Sequence, residues 1–346
     1  MHRLRYSLAF AVLFLGVATA ARAAGPTIYW CDSEGGGSTL IVTPAGDSVL
    51  IDSGNPGGRD AGRIVHVIKD VAHLTKLDHL IVTHLHIDHF GGAAEIAQQI
   101  PVGNVWDNGL PDTDPDGNKT STWPLTSKAY REMKVGERHR VEPGTIIPLK
   151  SGEHKIELRC LITRKEPWQP AGLHARTESQ PAFKQEDTSD NANSSAWILQ
   201  YETFRFYDGG DLTWNIEAKL VWPNQWVSPV DIYQVTHHGL DVSNNPWLVR
   251  ALSPRVSVMN NGPTKGTAGE VLATLSSIPS LQAQYQVHTN VRPDGATNNC
   301  PDAQIANVME KCSANFIQCS VDSDGKGYAM EIPATGYKRL FKTQVQ

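Results

Sequence analysis

Three histidines and one aspartate fall within six consecutive residues of this 346-residue chain, directly after an apolar run: His84, His86, Asp88 and His89. Neutral imidazole and carboxylate groups are the ligands that hydrolytic zinc enzymes use. Two ligands at positions i and i+2, followed by two at i+4 and i+5, allow one turn to serve two adjacent ions. This spacing therefore predicts a metal centre with these four residues as ligands and two Zn²⁺ ions as the expected cofactor.

Two further polar turns follow later apolar runs and complete the ligand set. Asp211 comes after Gly209 and Gly210, on a flexible turn from which its carboxylate could bridge two ions. His237 and His238 lie in a Thr-His-His-Gly turn and offer the remaining imidazole. Which of these two histidines binds metal stays open. His238 is alternatively a catalytic residue that stabilises negative charge as it develops on the substrate.

A metal pair held in this way would hydrolyse its substrate. Two bridged divalent ions lower the pKa of bound water towards about 7, which supplies a metal-bound hydroxide, and they polarise a carbonyl or phosphoryl oxygen. Asp88 or a metal-bound water would then pass a proton to the leaving group, so Asp88 is a candidate catalytic residue as well as a ligand. The residues therefore predict a metal-dependent hydrolase, and they identify the reaction type without the substrate.

Strands are predicted before each of these turns. Two short apolar runs joined by a glycine-containing turn predict a β-hairpin over 39–54, and the apolar run 80–83 predicts a buried strand that ends at the histidine turn. Further strands are predicted at about 155–162, 196–201, 204–207, 230–236, 255–259 and 327–332, helices at about 64–71, 91–99, 247–251 and 303–310, and a polar loop at 163–193. Strands that alternate with helices along the chain predict an α/β fold.

A run of acidic residues lies in the polar segment 107–140, which is predicted to be a long surface loop near the site. Its Asp112-x-Asp114-x-Asp116 pattern is spaced as at the start of a calcium-binding loop. The twelfth position is Trp123 rather than glutamate, however, and a proline interrupts the run. An ordinary acidic loop is therefore the favoured interpretation, with calcium as the alternative.

Residues 1–23 have the pattern of a secretory signal peptide. Two arginines precede an apolar core at 8–17, and Ala21-Arg22-Ala23 matches a small-x-small cleavage site. A membrane-spanning anchor needs about 20 apolar residues, roughly twice the run here. We therefore expect a secreted or periplasmic protein without a membrane anchor after cleavage, in which 24–346 form a single domain.

The balance of charge bears on the partners of the protein. The whole chain has 31 Lys and Arg against 36 Asp and Glu, and cleavage at 23 would leave 28 against 36, a net charge of −8. Such a chain does not hold nucleic acid through its overall charge. Basic residues do occur near the expected rim of the site, and a solvated helix face is their favoured interpretation: Lys128, Arg131, Lys134, Arg138 and Arg140. Nucleic acid thus stays an open partner, and a small-molecule or nucleotide-type substrate is expected.

The chain has five cysteines, all after the predicted cleavage site: Cys31, Cys160, Cys300, Cys312 and Cys319. Outside the cytoplasm disulfides persist, and no Cys-x-x-Cys motif suggests a zinc ribbon. One local bridge among the last three cysteines is the first expectation, because short loops close easily.

Together these motifs resemble the metallo-β-lactamase superfamily, and most closely the secreted or periplasmic hydrolase-like domain of the competence DNA-uptake channel protein. The resemblance spans residues 27–335 and rests on five segments: Leu50–Gly54, Thr83–Gly92, Asn191–Ser195, Gly210–Leu212 and His237–Gly239. It implies a four-layer αββα sandwich that carries its metals at one edge of the two sheets.

The resemblance also implies how the ligands divide between two ions. His84 and His86 would hold the first ion, Asp88, His89 and His237 the second, and Asp211 would bridge them. Asp52, at the end of its strand, is expected to orient the histidine turn rather than to bind metal.

The sequence departs from the superfamily at one ligand. Many members have a third histidine for the first ion about 20 residues before the bridging aspartate; here that place is taken by Asn191 when counted from Ser195, or by Asp190 when counted from Ser194. An amide oxygen is a poorer zinc ligand than imidazole. The first site is therefore expected to be weak, filled by Mn²⁺, or completed by a distant group such as His174. The DNA-uptake branch is similar to this sequence in having asparagine there.

Three functions are compatible with these motifs. The first hypothesis is hydrolysis of a phosphodiester or related ester outside the cytoplasm, by analogy with the DNA-uptake branch. The alternative enzyme is an acyl hydrolase for a lactone, thioester or β-lactam, which a broad apolar cleft would favour. The third is a metal-binding domain without turnover, because the third histidine of the first site is missing.

Overall fold

The computed structural model describes residues 25–150, 152–170 and 181–344. The predicted signal peptide and His174 lie outside these ranges. Within them, no helix combines the length and apolar character needed to cross a membrane.

Nine strands of the described residues form the first sheet. They are β1 (Thr27–Trp30), β2 (Thr39–Val42), β3 (Ser48–Ile51), β4 (Leu77–Ile81), β5 (Val102–Asp107), β6 (Glu137–Arg140), β15 (Ile317–Val321), β16 (Gly327–Ile332) and β17 (Tyr337–Lys342). Their spatial order is β17-β16-β15-β1-β2-β3-β4-β5-β6. The predicted hairpin is the antiparallel pair β2 and β3, and the predicted strand before the histidine turn is β4.

Eight strands of the described ranges form the second sheet. They are β7 (Ile156–Thr163), β8 (Glu166–Pro167), β9 (Ala196–Tyr201), β10 (Phe204–Asp208), β11 (Ile232–Gln234), β12 (Val256–Met259), β13 (Ala283–His288) and β14 (Ile305–Asn307). Their order is β14-β13-β12-β11-β10-β9-β7-β8. Strands β10 to β14 pair in parallel here, as β3 to β6 do in the first sheet. Because carboxyl ends of parallel strands share one edge, the turns after β4, β10, β11 and β12 can meet.

Helices cover the outer faces of both sheets. They are α1 (Arg59–His66), α2 (Ile87–Phe90), α3 (Ala93–Gln99), α4 (Trp123–Thr126), α5 (Lys128–Glu132), α6 (Trp214–Ala218), α7 (Pro246–Leu252) and α8 (Gly269–Ser276), with a π-helical turn at Val67–Val71 and 3₁₀ turns at Asp190–Asn193, Thr236–Gly239, Pro293–Ala296 and Asp302–Gln304. Helix α7 begins at a proline, and the Asn245 side chain accepts a hydrogen bond from Trp247 N at its first turn.

Alternation of side chains along the strands divides the core into layers. In β1, Ile28 and Trp30 pack between the two sheets, whereas Tyr29 faces the helices on the outer side. In β9, Trp197 and Leu199 lie in the same inter-sheet core, and the opposite face of the second sheet packs against α6, α7 and α8. The layers are thus helices, sheet, sheet and helices, which confirms the predicted αββα fold.

Two predictions of secondary structure are wrong. The predicted helix at 303–310 is instead a 3₁₀ turn followed by β14, because that segment pairs in parallel with β13 and tertiary pairing overrides the local pattern. The predicted loop 107–140 contains α4, α5 and β6, since Trp123 and Tyr130 pack against Phe90 and order the segment.

The expected local disulfide is not formed either: all five cysteines are free thiols. Cys319 faces the inter-sheet core from β15, whereas the Cys312 sulfur lies beside Asp32. Their side chains therefore point into different parts of the molecule.

Candidate metal centre

The histidine turn connects β4 to α2 and is fixed by tight backbone packing. His86 precedes α2, and Asp88 and His89 lie on its first turn. A Cβ added to Gly91 would lie 2.2 Å from the Ile87 carbonyl oxygen, and one on Gly92 would lie 2.2 Å from the Ser53 carbonyl oxygen. Only glycine fits at such distances, so the pair of glycines allows the turn to dock on the end of the β2–β3 hairpin.

Four donor atoms from Asp88, His89, Asp211 and His238 lie within 4.8 Å of one another. Asp211 Oδ2 is 3.2 Å from Nε2 of both histidines. Asp88 Oδ2 is 3.6 Å from His89 Nε2 and 3.5 Å from His238 Nε2. In a tetrahedral zinc site with bonds of about 2.1 Å, neighbouring donor atoms are about 3.4 Å apart. The four donors, named the main donor group below, are spaced as ligands of one ion.

His237 and His238 lie in the turn that follows β11, and both have φ 55°, a left-handed conformation that non-glycine residues rarely adopt. His238 Nδ1 donates to the Asn260 carbonyl oxygen at 2.9 Å, which leaves the lone pair on Nε2, next to the carboxylates. His237 Nε2 reaches Asp211 Oδ2 at 3.3 Å, and its Nδ1 lies 3.1 Å from Ser243 Oγ. Both histidines thus contact Asp211, but only His238 belongs to the main donor group.

His84 and Asn191 lie outside the main donor group. Each has a buried atom, His84 Nε2 and Asn191 Oδ1, without a hydrogen-bond partner within the described ranges. The His84 ring is centred 4.2 Å from that of His89, next to the main donor group. Buried polar atoms without partners are rare, and a cation would satisfy both. His86 differs, because its Nε2 lies 3.0 Å from Asp116 Oδ1. His84 Nε2 and Asn191 Oδ1 are therefore each available to a cation, whereas His86 is engaged by a carboxylate.

Asp52 orients the histidine turn, as predicted. Its Oδ2 lies 2.6 Å from His89 Nδ1 and accepts a hydrogen bond from Thr83 Oγ1 at 2.8 Å, while Oδ1 accepts from Thr83 N at 2.8 Å. Since His89 Nδ1 donates to a carboxylate, Nε2 is left to face the main donor group. The buried Asp52 carboxylate thus fixes both the tautomer and the direction of this imidazole.

Charges in the main donor group are strongly coupled. Burial raises the pKa of Asp211 and of Asp88, but the neighbouring histidines outweigh burial and hold both values well below the usual range. Burial lowers the pKa of His89, but the three nearby aspartates outweigh it and hold the value well above the usual range. The carboxylates are therefore ionised, which is the state that binds metal.

Two other histidines are held neutral. Burial, assisted by the charge of His89, holds the pKa of His84 well below its usual range. Burial also lowers the pKa of His237 to about 4. A neutral imidazole with a free lone pair is the ligand form of histidine.

Three further residues contact the site. Lys265 belonged to no sequence motif, Asp116 to the acidic run, and Asp190 was named only as the alternative position of the missing histidine. Lys265, in the turn after β12, places its Nζ 2.5 Å from Asp88 Oδ2. Asp116 accepts a hydrogen bond from the Asp190 backbone N at 2.7 Å and contacts His86, which folds the acidic loop over the site. Asp190 Oδ2 in turn accepts from Leu85 N at 2.6 Å. The acidic run was the sequence signal that could have indicated Asp116. Lys265 lies in a glycine-containing turn with no distinguishing pattern, so no signal pointed to it.

A family model described as the metallo-β-lactamase superfamily matches residues 33–116, the segment that contains the histidine turn. It covers about a quarter of the chain. The closer resemblance to the DNA-uptake branch stays a prediction.

Similar solved structures are distant. They include CmlA, a diiron β-hydroxylase from Streptomyces venezuelae, at 14% identity and a TM-score of 0.44, over 75% of this chain and 52% of that one. They also include MEM-A1, a subclass B3 metallo-β-lactamase from a soil metagenome library, at 13% identity and a TM-score of 0.34, over 79% of each chain. This chain spans about half the length of the β-hydroxylase. With TM-scores below 0.5, the chain's own geometry has to define the site.

Proposed function

We propose that this protein is a metal-dependent hydrolase of the metallo-β-lactamase superfamily and that its centre is the main donor group. The observation that carries the proposal is the set of four buried or half-buried donor atoms at 3.2 to 3.6 Å from their neighbours. Without a cation, two carboxylates and two imidazoles would be held together at a cost in desolvation. A divalent ion coordinated by all four donor atoms would offset that desolvation cost, which explains why the four side chains are held together.

Two ions are proposed, with Zn²⁺ in the main donor group and Zn²⁺ or Mn²⁺ in the weaker first site. Asp88, His89, Asp211 and His238 would hold one ion. His84, Asn191 and the shared Asp211 would hold the other, and His86 would join them on release from Asp116. Bound ions of this kind activate water at neutral pH and polarise a carbonyl or phosphoryl oxygen. His237, predicted as a ligand, is proposed instead to position Asp211 through their 3.3 Å contact.

Lys265 gives the centre a fixed positive charge beside Asp88. Its side chain is 36% exposed, so the ammonium group contacts the carboxylate on one side and is open to a substrate on the other. A cation placed there stabilises negative charge that develops on the substrate during hydrolysis. The same contact keeps Asp88 ionised, so Asp88 would accept a proton only transiently and pass it to the leaving group.

A small phosphodiester or related ester is the proposed substrate, in preference to a polynucleotide. Two of the five basic residues near the rim already have partners: Lys128 pairs with Glu132, and Arg138 lies over the Tyr130 ring at 4.7 Å. A polyanion needs several free cations along its path. Among the described lysines and arginines, Lys265 is the one that contacts the main donor group, and its single charge suits one phosphate or carboxylate group.

Secretion or a periplasmic location also belongs to the proposal. It is supported by the pattern of residues 1–23. The substrate would accordingly be an ester present outside the cytoplasm.

The test combines metal analysis with turnover. Purified protein, Asp211→Ala and Asp231→Asn would be assayed for bound metal and for hydrolysis of bis-p-nitrophenyl phosphate, a lactone and a cephalosporin. Asp231 is a buried aspartate that binds Arg205 N and Gln344 N, so its variant is a matched control. We expect Asp211→Ala to lose metal and at least about 10³-fold of the phosphodiesterase rate, and Asp231→Asn to keep both.

Equal rates in wild type and Asp211→Ala would exclude the metal mechanism. Cleavage of the lactone or cephalosporin without phosphodiesterase activity would replace the proposed substrate by an acyl compound. Full metal content with no turnover of any substrate would favour a binding domain.

A further inference from the structure

A second cluster of metal-binding side chains lies apart from the main donor group. One donor atom from each of Asp32, His288 and Cys312 lies within 4.8 Å of the others. The Cys312 thiol donates to Asp32 Oδ2 at 2.8 Å. Asp32 follows β1 of the first sheet, His288 ends β13 of the second, and Cys312 lies between β14 and β15. Three distant parts of the chain thus bring a carboxylate, an imidazole and a thiol to one point.

His288 supplies the independent sign of a ligand. Its side chain is fully buried, and its Nδ1 lies 3.0 Å from the Thr289 carbonyl oxygen. A carbonyl can only accept, so Nδ1 carries the proton and the lone pair is on Nε2. Nε2 is buried and has no hydrogen-bond partner among the residues that the structure describes. An unsatisfied buried lone pair is costly, and it is the form in which histidine binds metal.

An ordinary ion-pair network does not account for this lone pair. Arg63 donates to Asp32 Oδ2 at 3.2 Å, to Glu34 Oε1 at 2.9 Å and to Cys312 Sγ at 3.5 Å. It balances the negative charge, yet no donor among these groups reaches His288 Nε2. One cation could satisfy the carboxylate, the thiolate and the imidazole together.

We propose that Asp32, His288 and Cys312 bind a single transition-metal ion of the Zn²⁺ class, separate from the main donor group. Thiolate and imidazole ligands favour such an ion over Mg²⁺ or Ca²⁺. Zinc in structural sites is four-coordinate. Glu34, whose Oε1 is 3.8 Å from Cys312 Sγ but which lies outside the 4.8 Å group, would move inward to become the fourth ligand. On binding, the thiol proton leaves to solvent and a sulfur–metal bond takes its place.

The role of this ion is structural. The loop after β1, which carries Asp32 and Glu34, also contacts the histidine turn: Gly37 N donates to the Asp88 carbonyl oxygen at 3.1 Å. An ion that joins this loop to the end of β13 ties the two sheets together beside the main donor group. It thereby supports the backbone that carries Asp88 without contacting the substrate.

Cobalt substitution tests the proposal, because the main donor group contains no sulfur. Full-length protein loaded with Co²⁺ should show the near-ultraviolet charge-transfer band of a thiolate–Co²⁺ bond. We expect Cys312→Ser to abolish the band with the loss of one Co²⁺ per chain, and His288→Gln to lower the affinity for that Co²⁺ at least tenfold. Cys300→Ser is the matched control, since Cys300 is a buried free cysteine that contacts Gln304; it should keep the band.

Asp211→Ala separates the two sites. It should lose metal from the main donor group and keep the thiolate band, so failure of the proposed hydrolase and failure of this site give different results. The proposal is overturned if wild type shows no band, if Cys312→Ser retains it, or if mass analysis of unreduced protein finds Cys312 in a disulfide.

Discussion

The two turns that meet at the main donor group are held in place by different means. The histidine turn after β4 depends on nearby chain: the neighbouring hairpin supplies Asp52, and two glycines permit close backbone contact. The turn with His237 and His238 depends on side chains from other elements and has two residues at positive φ. Such a conformation costs about 1–3 kcal/mol per residue and persists only where the surroundings enforce it. One side of the centre is thus encoded locally, and the other is imposed by packing.

The surroundings of the second turn are specific. The Asn244 side chain donates to the Thr236 carbonyl oxygen at 2.9 Å and accepts from Tyr233 Oη at 2.8 Å. The buried Glu217 carboxylate accepts from Asn245 N at 2.7 Å. These contacts hold the strained turn against Asp211. Four predictions test the contrast between the two turns, from the largest expected effect to the smallest.

Replacing His237 and His238 one at a time should show which of them is a metal ligand and which only contacts Asp211. We expect His238→Ala to lower the rate of hydrolysis by about 10³-fold or more, because it removes a proposed ligand, and His237→Ala to lower it by about tenfold through Asp211 alone. Steady-state kinetics with metal analysis would measure both. If His237→Ala has the larger effect on metal content, the ligand assignment from the geometry is wrong.

Glu217→Gln should change how stability depends on pH. Burial raises the pKa of Glu217 from 4.5 to about 7, so the folded protein favours the protonated acid. That stabilisation is fully present below pH 4.5 and is lost as pH rises through about 7, by up to about 3 kcal/mol. The unfolding free energy of wild type, minus that of the variant, should therefore fall over this range. Denaturant unfolding at several pH values measures it, and the exposed Glu186→Gln should show no such trend.

Asp52→Asn tests the locally held turn. In the variant an NH₂ group replaces one of the two carboxylate oxygens, both of which accept hydrogen bonds. At least one of the His89 and Thr83 donors then faces another donor, so the imidazole loses its orientation. Loss of such a supporting carboxylate typically costs 10–100-fold in metal affinity. Competition with a chelator would measure the affinity. Asp47→Asn, a buried aspartate of the same hairpin that binds Lys150, should leave it unchanged.

Cys312→Ser should have the smallest effect on catalysis. Because Cys312 belongs to the separate cluster, we expect the rate of hydrolysis to stay within about twofold of wild type. The part of the zinc-dependent rise in thermal midpoint that comes from binding at the Cys312 cluster should be lost. Thermal unfolding of Asp211→Ala, with and without Cys312→Ser, measures this stabilisation apart from the main donor group. A large loss of turnover in the single variant would mean that the two sites are coupled.

Sequence reasoning succeeded where structure is local. The hairpin, strand β4 and helix α7 follow from patterns within a few residues. Their alternation predicted an α/β fold, and the resemblance to the superfamily implied its αββα layers. It failed at 303–310, where pairing with β13 converts an apparent helix into a strand. Lys265 was missed because its partner Asp88 is 177 positions away. The cluster at Cys312 was missed for the same reason, as its members come from three separate segments.

The sequence by itself determined which side chains could act as donors in the main donor group, carboxylate and imidazole, and the turns that carry them. The tertiary structure alone decided that His238 rather than His237 faces Asp88, that Lys265 joins the centre, and that Cys312 lies beside Asp32 and His288 instead of in a disulfide. The physical reason is the separation along the chain of the residues that have to meet. Spacing within one turn is fixed by covalent geometry, whereas the meeting of distant turns is fixed by how the two sheets pack.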